Sequence, residues 1–418
     1  MRVGMFLGGI LLAFAVAFYL WTIQIRSHHG YSTDFAQFHA SAENLSAGKD
    51  VYTPLPWERY GPLPENFDIE RPHKHPNLNP PFQSILFLPF ATLSFEDAFR
   101  VWSILSITFG ACAAAIVARQ LDTPAPHGRV VIALVLLSFL YFPSWLNVFL
   151  GQLGHLLFLL GAIAWTSARS GRDALAGVAL GVSLAIKPFT GLFIILFLLS
   201  RRWRLLFWYI FTFAVCVTLS LAFVGLDAHL RYVALLSEVT WFAATWNASI
   251  LGFASRIFGG AGNQPLIDAP EARTAVLLIA AVLAVAVLAR LARRRRALPG
   301  SDDFDIAFAT VIPLMLLLSP LGWLYYFPYL TISFVILFRV SKTTARRWTY
   351  LTSAAVAWLL GTLPHFQTRS EKVSDPALIF TYPAFYCLAL VILVLTLIAL
   401  AAARDRQRTL EPGPDKPP

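Results

Sequence analysis

Long apolar runs govern what this chain can become. They fall at 4–25, 97–118, 130–147, 150–168, 205–224, 272–292, 304–319, 322–339, 347–364 and 380–402. Two shorter runs, 173–186 and 188–200, flank Lys187-Pro188. A helix needs about 20 apolar residues to cross a bilayer, and each backbone N–H and C=O must be satisfied internally there. The pattern predicts an all-α integral membrane protein with about 10–12 transmembrane helices. The short pair reads as broken or re-entrant helices. The composition agrees: 13% of residues are charged, against about 25% in a soluble domain. The run after Arg2 is too long for a signal peptide and has no small-residue cleavage site, so it reads as an uncleaved first helix.

The net charge of +10 is scattered in short clusters between the apolar runs. That excludes a nucleic-acid binder, which gathers its charge on one face or arm. Of the 33 Lys and Arg, 21 fall on the side of Met1, in groups such as Arg201 to Arg204 and Arg293 to Arg296. By the positive-inside rule that side is cytoplasmic. Both termini are then cytoplasmic, and the chain sits in a cell inner (plasma) membrane. One polytopic domain is expected over 1–403, with a polar, Pro-rich, disordered cytoplasmic tail at 404–418. The outer side owns 26–96, 225–271 and 365–379. In the first outer loop, Phe35, Phe38, Ala42 and Leu45 repeat at helical spacing, with Gln37, His39, Glu43 and Asn44 elsewhere on the wheel. This predicts an amphipathic helix over Thr33–Ala47 lying in the outer interface. Similar helices are expected at Pro81–Leu93 and Asn247–Phe258.

All 23 Asp and Glu lie in loops or at helix ends on this topology. An ion-coupled transporter is expected to carry a carboxylate mid-membrane, so the pattern favours a reaction at the outer surface. Asp34 opens the first interfacial helix. It is either a general base for an acceptor hydroxyl or a helix N-cap, and Asp34-x-x-Gln37 has capping-box character. Lys187 is a cation for a phosphate or a snorkelling lysine. Arg256 is a second phosphate contact or an interfacial anchor. Gln152 and Asn147 hydrogen-bond a sugar or hold helices together. Trp57, Tyr60, Phe82, Trp241 and Trp246 are cavity walls or belt anchors. Glu70, Arg71, His73, Lys74 and His75 cluster without a third placed metal ligand, so no metal site and no cofactor is predicted. Without a phosphate-cradling glycine loop or a sizeable cytoplasmic domain, a transferase here needs a lipid-borne donor.

Several segments, in order, resemble glycosyltransferase family 87. They are Asp34-Phe35 with Leu45-x-x-Gly48-x-x-Val51-Tyr52, Asn79-Pro80-Pro81-Phe82, Gly151-Gln152, and Gly177-x-x-x-Gly181-x-x-x-Ala185-Ile186-Lys187-Pro188. Asn247-x-Ser249 and Leu318-Ser319-Pro320-x-x-Trp323 complete the set. The resemblance implies a glycosyltransferase C-type fold and inverting, metal-independent transfer of a hexose. Mannose is the first candidate, passed from a polyprenyl-phosphate carrier to a lipid or glycan acceptor at the outer face. It implies Asp34 as the base and Lys187 as a phosphate or sugar contact; Gln152, Asn247 and Arg256 complete the expected substrate contacts, with Tyr325 and Tyr326. Family members carry histidines after the Ser-Pro-x-x-Trp segment, where this chain has Tyr325-Tyr326. A tyrosine can donate to or stack on a sugar, but it does not protonate as imidazole does. The rival readings are a transporter or lipid flippase, which needs a polar path through the membrane, and a non-catalytic subunit of an envelope glycan assembly, in which Asp34 faces no cavity. A polymerase or ligase for lipid-linked glycans is the nearest enzymatic alternative.

Overall fold

The computed structural model describes residues 2–29, 34–54, 77–240, 242–259, 267–293, 298–364 and 382–410. Among them every regular element is helical, apart from one isolated bridge between Asn247 and Trp323. Helix α1 runs Arg2–Ser27, α2 Phe35–Ser46 and α3 Phe82–Phe87, which continues as a 3-10 turn at Leu88–Phe90. Then come α4 Phe95–Ala118, α5 His127–Phe139, α6 Phe142–Leu150, α7 Gly154–Arg169 and α8 Asp173–Ile186. A 3-10 turn at Pro188–Gly191 leads into α9 Leu192–Leu199. Next are α10 Trp203–Val224, α11 Leu226–Ser237, α12 Ile250–Phe258, α13 Pro270–Arg293 and α14 Asp302–Leu318. A 3-10 segment, Leu324–Leu330, opens α15 Thr331–Ser341, followed by α16 Arg347–Thr362 and α17 Tyr382–Leu410.

Among the described residues, six stretches are long and apolar enough to cross a membrane unaided: Gly8–Ser27, Phe95–Ala118, Trp203–Val224, Pro270–Ala292, Leu324–Ser341 and Ala384–Gln407. The run at 130–147 is not one span but the pair α5 and α6, bent by 65°. Pro143 in the first turn of α6 cannot supply an N–H to a continuing helix, and its ring would clash with the preceding turn. Helices α7, α14 and α16 have 16, 17 and 16 residues, short of a full crossing. Large apolar side chains point outward, Phe14 at 66%, Phe207 at 59% and Val282 at 69% exposed. Water would penalise such surfaces and lipid tails do not, so the chain is a multi-pass integral membrane protein. The last helix runs on to Leu410. It thereby corrects the boundary at 403, beyond which a disordered tail was expected; 411–418 lie outside the described residues.

The basic loops meet at one end of the bundle. Asp305, fully buried in the first turn of α14, accepts from Trp165 Nε1 at 2.8 Å and pairs with Arg169 and Arg339. Asp302 pairs with Arg339 at 2.6 Å and with Arg404 at 2.7 Å. Arg202 pairs with Asp173 and donates to the Ala168 carbonyl at 3.0 Å, and Lys342 Nζ reaches the Asp122 carbonyl. Helix α7 runs from Gly154 to this cluster, so the segment before it lies about 24 Å away at 1.5 Å per residue.

That far end is built by α2 and its neighbours. Helix α2 is more deeply buried than the amphipathic pattern predicts. His39 and Ser41, which the pattern sets off its apolar stripe or leaves unassigned, are buried with Phe35 and Phe38. Their polarity is met inside: His39 Nε2 contacts the Leu93 carbonyl at 3.2 Å, and Ser41 Oγ donates to the Val51 carbonyl at 2.8 Å. Phe35 packs among Phe87, Phe90, Phe95, Phe99 and Trp102, with ring centroids 5.6–6.4 Å apart. The helix is wedged into the bundle rather than floated on it. The other two interfacial helices shorten, to α3 with its 3-10 turn and to α12. Ser249 caps α12 by accepting from Gly252 N–H at 2.9 Å.

Candidate active site

Gly151 ends α6 with φ at +68°, a left-handed turn that suits glycine. A Cβ here would stand 2.5 Å from Phe35 Cβ. The bare glycine lets the residue after Asp34 press against this turn, and the Gly151 carbonyl accepts from Trp102 Nε1 at 2.8 Å. The next residue, Gln152, therefore meets Asp34: its Nε2 donates to Asp34 Oδ2 at 2.7 Å. Gly151→Ala is expected to destabilise the protein by about 1–3 kcal/mol. A lowered denaturation midpoint in detergent would register it, and an unchanged midpoint would deny the close contact its weight.

Asp34 occupies the N-cap position of α2, yet its side chain makes no capping hydrogen bond. The Gln37 N–H is met by the Asp34 carbonyl at 3.1 Å instead. The capping-box reading thus gives way: the carboxylate is turned to Gln152 and to a cavity of about 700 Å³, within the range of ligand sites. Burial pushes the carboxyl above the ordinary carboxylate range, while the Gln152 hydrogen bond and the Lys187 and Arg26 charges pull it back.

Lys187 reaches the same cavity because Pro188 stops α8. The residue before a proline is driven out of the helical region, and Lys187 is extended at φ −143°, ψ 111°. Helix α8 is itself seated by its glycines. A Cβ on Gly177 or Gly181 would fall 2.6 Å from the Leu205 carbonyl or Thr212 Cβ of α10, the close approach that small residues allow between membrane helices. Lys187 Nζ lies 5.4 Å from the centroid of the Tyr326 ring. Tyr325 and Tyr326 both line the cavity, with Tyr325 stacked on Trp323 at 6.2 Å.

Asn247 and Arg256, expected as substrate contacts, are not among the residues that line this cavity. Asn247 is fully buried, and its amide is used up in the protein. Its Nδ2 donates to the carbonyls of Phe242 and Pro320, each at 2.9 Å, and its Oδ1 accepts from Ser249 and Gly322 N–H at 3.1 and 2.9 Å. It pins the Ser319–Trp323 loop, which does line the cavity. Arg256, 1% exposed, donates to the Ala244 and Asn247 carbonyls and so braces the segment that Asn247 holds. Asn147 and His155 likewise hold helices: Asn147 Oδ1 accepts from Gly154 N–H at 2.7 Å, and Ser106 Oγ lies 3.0 Å from both Asn147 Nδ2 and His155 Nδ1.

The sequence model of glycosyltransferase family 87 matches residues 77–320. The chain belongs to glycosyltransferase family 87. Comparison with curated proteins finds no match. The family 87 match takes in Gln152 and Lys187 and stops short of Asp34 on one side and of Tyr325-Tyr326 on the other. The fold brings these five residues to one cavity. Of the expected aromatic walls, Trp246 lines it; Trp57, Tyr60 and Trp241 lie outside the described residues, as does the cluster from Glu70 to His75. Among the described residues no group of three or more His, Cys, Asp or Glu is placed to hold a metal. Asn79 and Ser319 also line the cavity. Both sit in motifs that carried the family resemblance, which was the available signal; Tyr232 and Thr245 gave none.

Proposed function

We propose that this family 87 glycosyltransferase moves a hexose, with mannose the first candidate, from a polyprenyl-phosphate carrier to a lipid or glycan acceptor. One observation carries the reading: Asp34, released from capping, shares a cavity with Lys187. The acceptor hydroxyl gives its proton to Asp34, and its oxygen attacks the anomeric carbon from the face opposite the phosphate. The bond from that carbon to the phosphate oxygen breaks, inverting the centre. The polyprenyl phosphate leaves with the electron pair and meets the Lys187 ammonium. Phosphate needs no general acid to depart, so one carboxylate suffices, unlike glycoside hydrolysis with its pair. Lys187 takes the charge that a metal meets elsewhere.

The site is proposed to face outward, with both termini in the cytoplasm of a cell with a plasma (inner) membrane. The basic cluster at the opposite end of α7 supports this orientation through the positive-inside rule. The apolar residues Leu192, Leu236 and Leu318 share the cavity with its polar side chains, as an amphipathic donor entering from the outer leaflet requires.

The test is transfer by the purified full chain in liposomes, using radiolabelled polyprenyl-phosphate mannose, glucose and galactose with membrane lipids as acceptors. Labelled glycolipid from one of these donors, and none from nucleotide sugars, is the expected result. No transfer from any polyprenyl-phosphate hexose would remove the donor class.

A further inference from the structure

Asn79 lines the cavity and is 4% exposed, yet the reaction described above gives it no part. Its amide orientation is fixed by a chain of hydrogen bonds that ends on backbone groups. The Val51 carbonyl only accepts, so Ser41 Oγ gives its proton there, at 2.8 Å. Ser41 Oγ then accepts from Asn77 Nδ2 at 2.8 Å. Asn77 Oδ1 is left to accept from the Asn79 backbone N–H at 3.1 Å and from Asn79 Nδ2 at 2.5 Å. A carbonyl at one end and a backbone N–H at the other cannot exchange roles, so both amides have one consistent orientation. The Asn79 carbonyl meanwhile accepts from Tyr52 Oη at 2.8 Å, which fastens the residue's backbone.

What remains is Asn79 Oδ1, a buried acceptor on this cavity-lining residue that no donor among the described residues satisfies. Trp246, also in the wall, has the opposite need: its Nε1 is a buried donor without an acceptor among those residues. Buried polar groups are nearly always paired, and exceptions call for a cause. A hydroxyl both donates and accepts, so a polyol meets both needs where a hydrocarbon meets neither.

We propose that Asn79 Oδ1 accepts a hydrogen bond from one hydroxyl of the bound sugar substrate and thereby selects substrates that carry it. This rests on the reading of the cavity as a sugar-transfer site. A site built to bond a hydroxyl rejects the analogue that lacks it far more strongly than an apolar pocket rejects a missing methylene. The hydroxyl belongs either to the donor sugar or to the acceptor, and the experiment separates the two.

Equilibrium binding is measured for the full-length wild type and for Asn79→Ala, in detergent. The probes are polyprenyl-phosphate mannose with its monodeoxy analogues, and an alkyl mannoside with its own. One deoxy analogue should bind the wild type about 10-fold more weakly than its parent, and this penalty should shrink to about twofold in Asn79→Ala. The series in which the penalty collapses names the source of the hydroxyl. Asn79→Ser, with a shorter acceptor, serves if the alanine variant does not fold. Equal penalties in both proteins across both series overturn the proposal, and so does failure of the wild type to bind either parent. Transfer is followed on the same samples. Binding with the expected pattern but without transfer would strike the proposed reaction and leave the Asn79 contact standing.

Discussion

Asp34→Asn is expected to lower transfer by about 10³-fold, within the range that positioned general bases supply, while the protein stays folded. The isostere keeps the oxygen that accepts from Gln152 Nε2, and α2 does not depend on the side chain for its cap. The variant should in fact resist heat at least as well as wild type at neutral pH. The sign follows from the raised pKa. The native fold favours the protonated carboxyl, so the stability linked to this group is present in acid and lost as pH rises through the folded pKa. An amide carries no such loss, and its advantage should close as the pH falls and Asp34 takes up its proton. Activity runs the other way: with Asp34 as the proposed base, transfer by wild type needs the ionised form and should fail in mild acid, above the pH where a free carboxylate titrates. Initial rates from pH 4 to 9 and denaturation midpoints across the same range measure both. Full activity of the variant would end the case for Asp34 as the base.

The helical architecture was legible because each apolar run is long and bounded by charge. Span lengths were less so. Hydropathy adds up residues without regard to direction, and a proline such as Pro143 turns one continuous run into two helices that no longer share an axis. The misreading of α2 has a different cause. His39 and Ser41 are polar, and periodicity alone sends them outward; only the carbonyls of Leu93 and Val51, distant in sequence, make their burial tolerable. The same limit applies at Asn247 and Arg256. Polar residues near a long loop look like ligands of a substrate, and both satisfy backbone carbonyls outside the cavity lining. Asp34, Gln152 and Lys187, which line the cavity, could be singled out because each stands beside a feature with a backbone consequence: the start of α2, the left-handed Gly151, and Pro188. What no local pattern offers is their convergence, set by the contact of Phe35 with Gly151 and by the glycine face of α8.

Lys187→Met should reduce kcat/KM by about 10²-fold, the scale of losing one preorganised charge or donor from the transition state. Methionine preserves length and apolar bulk, and the backbone at 187 is set by Pro188, so α8 and its turn should persist. Two separable effects follow from removing the cation. On the proposed reaction the departing polyprenyl phosphate loses its counter-charge, so this product should inhibit the variant more weakly than wild type. The Asp34 carboxyl loses one of the charges that oppose its burial, so the acid limb of the rate profile should move to higher pH. The first effect concerns the leaving group and the second the base. A variant with the shifted acid limb but unchanged product inhibition would make Lys187 a support for Asp34 and leave the phosphate to another group. Normal kcat/KM, with neither readout altered, would reduce Lys187 to a cation lodged against the Tyr326 ring.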